Sequence, residues 1–168
     1  MKKIIAILMV AFVVLTVSAC SNDNGDTSDK TTNNSSIQAD AKSCQSIYDE
    51  IAAVIDFPTM VSVKEKSLSN RYGIEQNMYS DYVFMTAQEA TLCDTVVIIK
   101  SNSADSTDVI VEKLNSFVQS SQETNVDYNP DQYDIIKNAS VKTQGDYVYL
   151  VFSSDMTTIE KMITDNIK

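Results

Sequence analysis

The chain reads as an α+β domain: a four-stranded, mainly antiparallel sheet with amphipathic helices on one face, in the order α-β-β-α-β-β-α. Three observations lead there. Apolar residues recur at three- and four-residue spacing in three separate stretches, which is the period of a helix with one buried side. Between those stretches stand two pairs of short runs rich in β-branched and aromatic residues. The last pair is joined through Gln144-Gly145-Asp146, and glycine there suits the positive φ of a tight hairpin.

Each element has its own signal. Cys44, Ile47, Tyr48, Ile51, Val54 and Ile55 make the first helix, which must end before Pro58. Residues 60–77 are mixed, with one short helical turn at 67–72 and a turn at Gly73. Residues 82–86 and 95–99 are the first two strands, and the second is apolar on both faces, as a central strand is. Asp105 and Asp108 sit where a helix N-terminus favours negative charge. Ile110, Leu114, Phe117 and Val118 line the helix that follows, which fades near Ser121. After Tyr128-Asn129-Pro130 comes a short turn or helix through Ile135-Ile136, then strands at 139–143 and 147–152. Ser154 or Asp155 caps a last helix that turns Met156, Ile159, Met162 and Ile163 inward.

Composition removes whole classes of function. The 168 residues carry 13 Lys+Arg against 23 Asp+Glu and contain no histidine. Without histidine there is no His-based triad, no His general base and almost no route to a catalytic zinc site. A net charge of −10 argues against nucleic acid and against charge-driven binding to an anionic membrane or wall polymer. With three glycines there is no Gly-rich phosphate loop and no nucleotide fingerprint. No cofactor and no metal is expected.

The N-terminus is an address. Met1-Lys2-Lys3 precedes an apolar run over residues 4–17, long enough for a signal peptide and too short to span a bilayer. The run ends in Val17-Ser18-Ala19-Cys20, which resembles the bacterial lipobox. That resemblance implies a signal peptide over 1–19, cleavage before Cys20, and diacylglyceryl transfer to the Cys20 thiol. The alternative is an ordinary secretory signal cut near Ala19, with Cys20 a bystander. Two acyl chains anchor stably where one is marginal, so lipidation places the protein on the extracytoplasmic face of the cell membrane. Losing residues 1–19 removes two lysines and no acids, which makes the mature chain still more acidic.

Residues 20–39 then form a lipid-anchored tether. From Ser21 to Ala39 the only large apolar residue is Ile37, too little to offset chain entropy, so disorder is expected. Its flexible reach is about 24 Å. The Asp23-Asn24-Gly25-Asp26 cluster lacks the alternating ligands and closing Glu of a calcium loop and reads as solvated linker. The single α+β domain occupies residues 40–168.

From about Ile47 onward the chain resembles the bacterial lipoprotein family known as domain of unknown function 4358, seen mainly in low-GC Gram-positive bacteria. The residues that carry the resemblance are Tyr72-Gly73-Ile74, Asp81-Tyr82 and Tyr128-Asn129-Pro130. Ala139-Ser140-Val141, Gly145-Asp146-Tyr147-Val148 and Asp155 complete them. Members often carry a Glu-Ile pair at the second strand and basic residues in the middle helix. Cys93-Asp94-Thr95-Val96 and Glu112-Lys113-Leu114-Asn115 stand there in this chain, so roles at those positions do not transfer. The resemblance implies location and architecture and no activity.

Chemistry-bearing residues are few. Outside the cytoplasm Cys44 and Cys93 could form a disulfide, worth about 4 kcal/mol for the loop it closes; the alternative is two separate buried thiols. Neither reads as a nucleophile, with no His and no Cys-x-x-Cys motif beside it. Glu89 and Asp94 flank the loop between the first two strands and are candidates for paired-carboxylate hydrolysis, with surface charge the plainer reading. Ser67 beside Lys66 has no motif around it to make a dyad. Tyr128, Tyr133, Tyr147 and Tyr149 are the candidate surface for a sugar, peptide or protein partner. Alternatively Tyr147 and Tyr149 cover the sheet and Tyr128 fixes the Pro130 turn. The expectation is a membrane-tethered, non-enzymatic binding or envelope-assembly module, partnered by an envelope protein or polymer and not by nucleic acid. Its alternative is an envelope hydrolase.

Overall fold

The computed structural model describes residues 42–167. The expected signal peptide over 1–19, the lipidation site Cys20, the tether over 20–39 and the Asp23–Asp26 cluster lie outside the described residues.

Helix α1 (Cys44–Ala52) starts at Ser43, whose side chain accepts from the Ser46 N–H, and turns Cys44, Ile47, Tyr48 and Ile51 onto the sheet. It closes one turn earlier than its apolar spacing suggests. Val54 falls beyond it and is 68% exposed. Strand β1 (Met60–Ser62) follows, then α2 (Glu65–Tyr72). Gly73, at φ +67°, ends α2: its N–H reaches the Ser69 carbonyl and the Ile74 N–H reaches back to Leu68, the hydrogen-bond pattern of a left-handed C-cap.

A 3₁₀ turn (Gln76–Met78) leads into β2 (Tyr79–Ala87), which hairpins into β3 (Thr95–Ser101). Helix α3 (Ala104–Tyr128) begins at a second serine cap, Ser103, and runs well past Ser121. It stays helical because α4 (Pro130–Ile136) folds back on it: the Gln122 side-chain amide donates to the Ile136 carbonyl at 3.1 Å. Pro130 at the first position of α4 gives up no hydrogen bond that the helix would have made. Strands β4 (Lys142–Gln144) and β5 (Tyr147–Phe152) form the last hairpin around Gly145, at φ +60°, and α5 (Met156–Asn166) ends the domain.

One sheet joins all five strands in the order β1-β2-β3-β5-β4, every pair antiparallel. Three sequence expectations are corrected here. The sheet has five strands and not four. The extra strand, Met60–Ser62, is a three-residue edge with two exposed side chains, too short for any alternation to show. The element order is therefore α-β-α-β-β-α-α-β-β-α. Helices also cover both faces and not one. On one side Val83, Val96, Ile98, Tyr147, Tyr149 and Val151 meet α1 and α5; on the other Phe84, Val97, Ile99, Val148, Leu150 and Phe152 meet α2, α3 and α4. Residues alternate between these sides along β3 and β5, which is why both strands are apolar throughout.

Candidate functional site

Where α2 ends beside α3 the second layer does not close. Tyr72, in the last turn of α2, lies tilted on Phe84 with ring centroids 4.6 Å apart and edge-on to Phe117 of α3 at 5.2 Å. Phe117 in turn stacks on Phe152 of β5 at 5.4 Å. Tyr72, Phe117 and Phe152 line the floor of a groove, with Phe84 buried beneath them. Its wall along α3 is Ser116, Ser120, Ser121 and Thr124, one hydroxyl after another. Such short side chains cannot reach α2, so the gap stays open.

The groove has two adjoining parts, one of about 480 Å³ and one of about 390 Å³, which share Arg71, Tyr72, Phe117 and Ser120. That is the size of a small-molecule site. The larger part extends to Leu92, Cys93 and Asn125; the smaller is bounded by Lys113. Lys113 lays its aliphatic stem over Gly73, where a side chain at Gly73 would meet its Cε at 3.5 Å. Arg71 stands over the Tyr72 ring at 5.9 Å. Burial pushes the Tyr72 phenol up, with the Arg71 charge opposing it.

The β2–β3 loop that borders the groove is tied to α4. The Cys93 N–H donates to Gln132 Oε1 at 2.7 Å, and the Asn129 amide donates to the Thr91 carbonyl at 2.9 Å. The Cys93 thiol is half-buried. Burial and the neighbouring Asp94 charge raise its pKa against a hydrogen bond with Asn125, so it is a thiol and not a thiolate at neutral pH.

The sequence candidates fall in several places. Cys44 and Cys93 are not bridged. Cys44 belongs to the α1/α5 cluster and Cys93 packs against the other, so the sheet stands between two atoms whose Cα partners would have to approach within about 7 Å. Burial and the Asp81 carboxylate hold the Cys44 thiol far above its ordinary value, which makes it inert. The four tyrosines do not share a surface. Tyr147 and Tyr149, 6% and 5% exposed, fill the space under α1 and α5, whereas Tyr128 is 87% exposed and Tyr133 half-buried.

Glu89 lines a shallow depression with Pro58, Thr59, Gln88 and Leu92; Asp94 does not line it. Burial raises the Asp94 carboxyl. Lys66 and Ser67 are neighbours on α2, and among the described residues no hydrogen bond joins them. Nor is there, among the described residues, a group of three or more Cys, Asp or Glu placed to hold a metal ion, or a helix long and apolar enough to cross a membrane.

Arg71, Tyr72, Lys113 and Phe117 were not singled out as site residues by the sequence. One signal was there to be read: Arg71 is the only arginine in the chain.

Neither a curated protein nor a solved structure matches the chain. The model of the family described as "Domain of unknown function (DUF4358)" matches residues 53–153, well over half of the chain. That stretch runs from before β1 to the end of β5 and contains every groove residue; it leaves out α1 and α5. The chain belongs to the domain of unknown function 4358 family.

Proposed function

We propose that this protein is a membrane-tethered extracytoplasmic lipoprotein, anchored through acyl chains on Cys20, whose domain is a non-enzymatic binding or envelope-assembly module. The observation that carries the binding part is the groove between α2 and α3: an aromatic floor, a row of hydroxyls and Arg71 at its edge. The anchor rests on the apolar run over residues 4–17 and on Val17-Ser18-Ala19-Cys20. On this reading residues 20–39, with Ile37 as their only large apolar residue, link the anchor to the domain.

A hydrolase working through Glu89 and Asp94 fits less well. The raised Asp94 carboxyl is the one feature in its favour, and Glu89 lines a shallow depression that Asp94 does not line.

Intact mass of the membrane-bound protein from its host tests the anchor. The expected product begins at Cys20 and carries a diacylglyceryl group. A chain beginning at an unmodified Cys20, or at another residue, overturns the lipoprotein reading.

A further inference from the structure

We propose that the α2–α3 groove takes a small ligand that carries an oxyanion on a flat or ring-shaped body. Arg71, with Lys113, holds the oxyanion, and the ring lies over Tyr72 and Phe117. The inference rests on the binding reading above and names the ligand chemistry.

Charge distribution carries it. Six of the described cations each have a carboxylate within 4.0 Å: Lys42, Lys100, Lys113, Lys137, Lys142 and Lys161. Among the described residues three have none, and all three belong to α2 and its N-cap: Lys64, Lys66 and Arg71. Among the described residues of a protein of net charge −10, unneutralised positive charge is thus confined to one helix and its N-cap, and its last cation borders the groove. The Lys113 pair is the loosest of the six, at 3.9 Å to its own neighbour Glu112, which is 74% exposed. An incoming anion displaces such a contact at little cost.

The rest of the groove says what accompanies the charge. Tyr72 and Phe117, both partly exposed, offer aromatic surface to a ring, and the hydroxyls of Ser120 and Ser121 stand on the wall where they can bond a polar rim. A guanidinium matches both carboxylate and phosphate, so the oxyanion can come from either.

Because Arg71 is the sole arginine, ¹⁵N-arginine labelling of the full chain in nonionic detergent gives one side-chain signal to follow. The probes are phenyl phosphate, benzoate and the neutral benzyl alcohol. Saturable shifts of Arg71 and of the Phe117 ring with either anion, weakened at least about tenfold by Arg71→Gln and unchanged by Lys161→Gln, are the expected result. Tighter binding of phenyl phosphate assigns a phosphate, and of benzoate a carboxylate. Benzyl alcohol binding as well as the anions, or Arg71→Gln leaving affinity unchanged, overturns the oxyanion and leaves the groove a binding site. No shift of Phe117 or Tyr72 with any probe overturns both this inference and the groove as the binding site.

Discussion

The two helical layers cover the same five strands in different ways. Under α1 and α5 the middle of the sheet is filled: Ile47, Ile51, Ile159 and Ile163 are wholly buried, Tyr147 and Tyr149 are used as filling, and an opening on this side, of about 350 Å³, lies past the end of α1 beside Ile55, Phe57 and Met85. On the other side α3 is just as well seated over Val97, Val148 and Leu150 through Ile110 and Leu114. Toward α2, however, it presents serine and threonine, and Tyr72, Phe117 and Cys93 stay half-exposed. The difference is one of side-chain length. Branched aliphatic residues close the space between a helix and its neighbour, and hydroxyls a single carbon from the backbone do not. The family match falls on the same division: it spans the open side and stops short of α1 and α5.

The two free thiols give the widest test of this contrast. Maleimide labelling of the folded chain at mildly alkaline pH, read site by site by peptide mapping, is expected to modify Cys93 at least about a hundredfold faster than Cys44. Cys44 should react only through unfolding. Equal rates would show that the α1 side is no better closed than the groove side.

Two tyrosines sharpen it next. Tyr149→Ala, which empties space beneath α5, is expected to lower unfolding free energy by about 3 kcal/mol or more. Tyr128→Ala, at the exposed end of α3, should change it by no more than about 0.5 kcal/mol. Denaturant titration measures both, and similar losses at the two positions would break the distinction.

The smallest effect concerns Asp94, the half-buried carboxylate just before β3. Because burial raises its carboxyl in the folded protein, folding takes up a proton there. The stability so contributed is complete below the unfolded carboxyl's value, about pH 4, and is lost as pH rises through the raised folded value. Asp94→Asn has no such loss, so it should gain on the wild type as pH rises from about 4 through the raised carboxyl's range. Parallel stability curves for the two proteins would show that Asp94 is as well solvated folded as unfolded.

Local pattern was enough for most helices and strands. The spacing in α1, α3 and α5 and the glycine turn at Gly145 act within a few residues, and each element they mark is present, although Asp155 stands at the start of α5 without a side-chain cap bond. Even the doubly covered sheet left a trace, because β3 and β5 are apolar on both faces and a strand covered on one side alternates. Such a pattern by itself implies a central strand and does not say what covers its second face.

Other features had no local sign. Met60–Ser62 becomes a strand only because residues 85–87 of β2 pair with it, and α3 outruns its apolar stripe only because α4 packs back against it. The groove is further still from local pattern. Arg71, Tyr72, Lys113, Phe117 and Cys93 come from two helices and a loop, and no spacing along the chain records that they meet. Residue order alone determined the acidic balance, the lack of histidine chemistry and the chain's helices and main strands, because each depends on composition or on neighbours a few positions apart. The partner of each face, the separation of Cys44 from Cys93, the burial of Tyr147 and Tyr149 and the opening between α2 and α3 were decided in three dimensions. They depend on which side chains are long enough to meet across the space between elements.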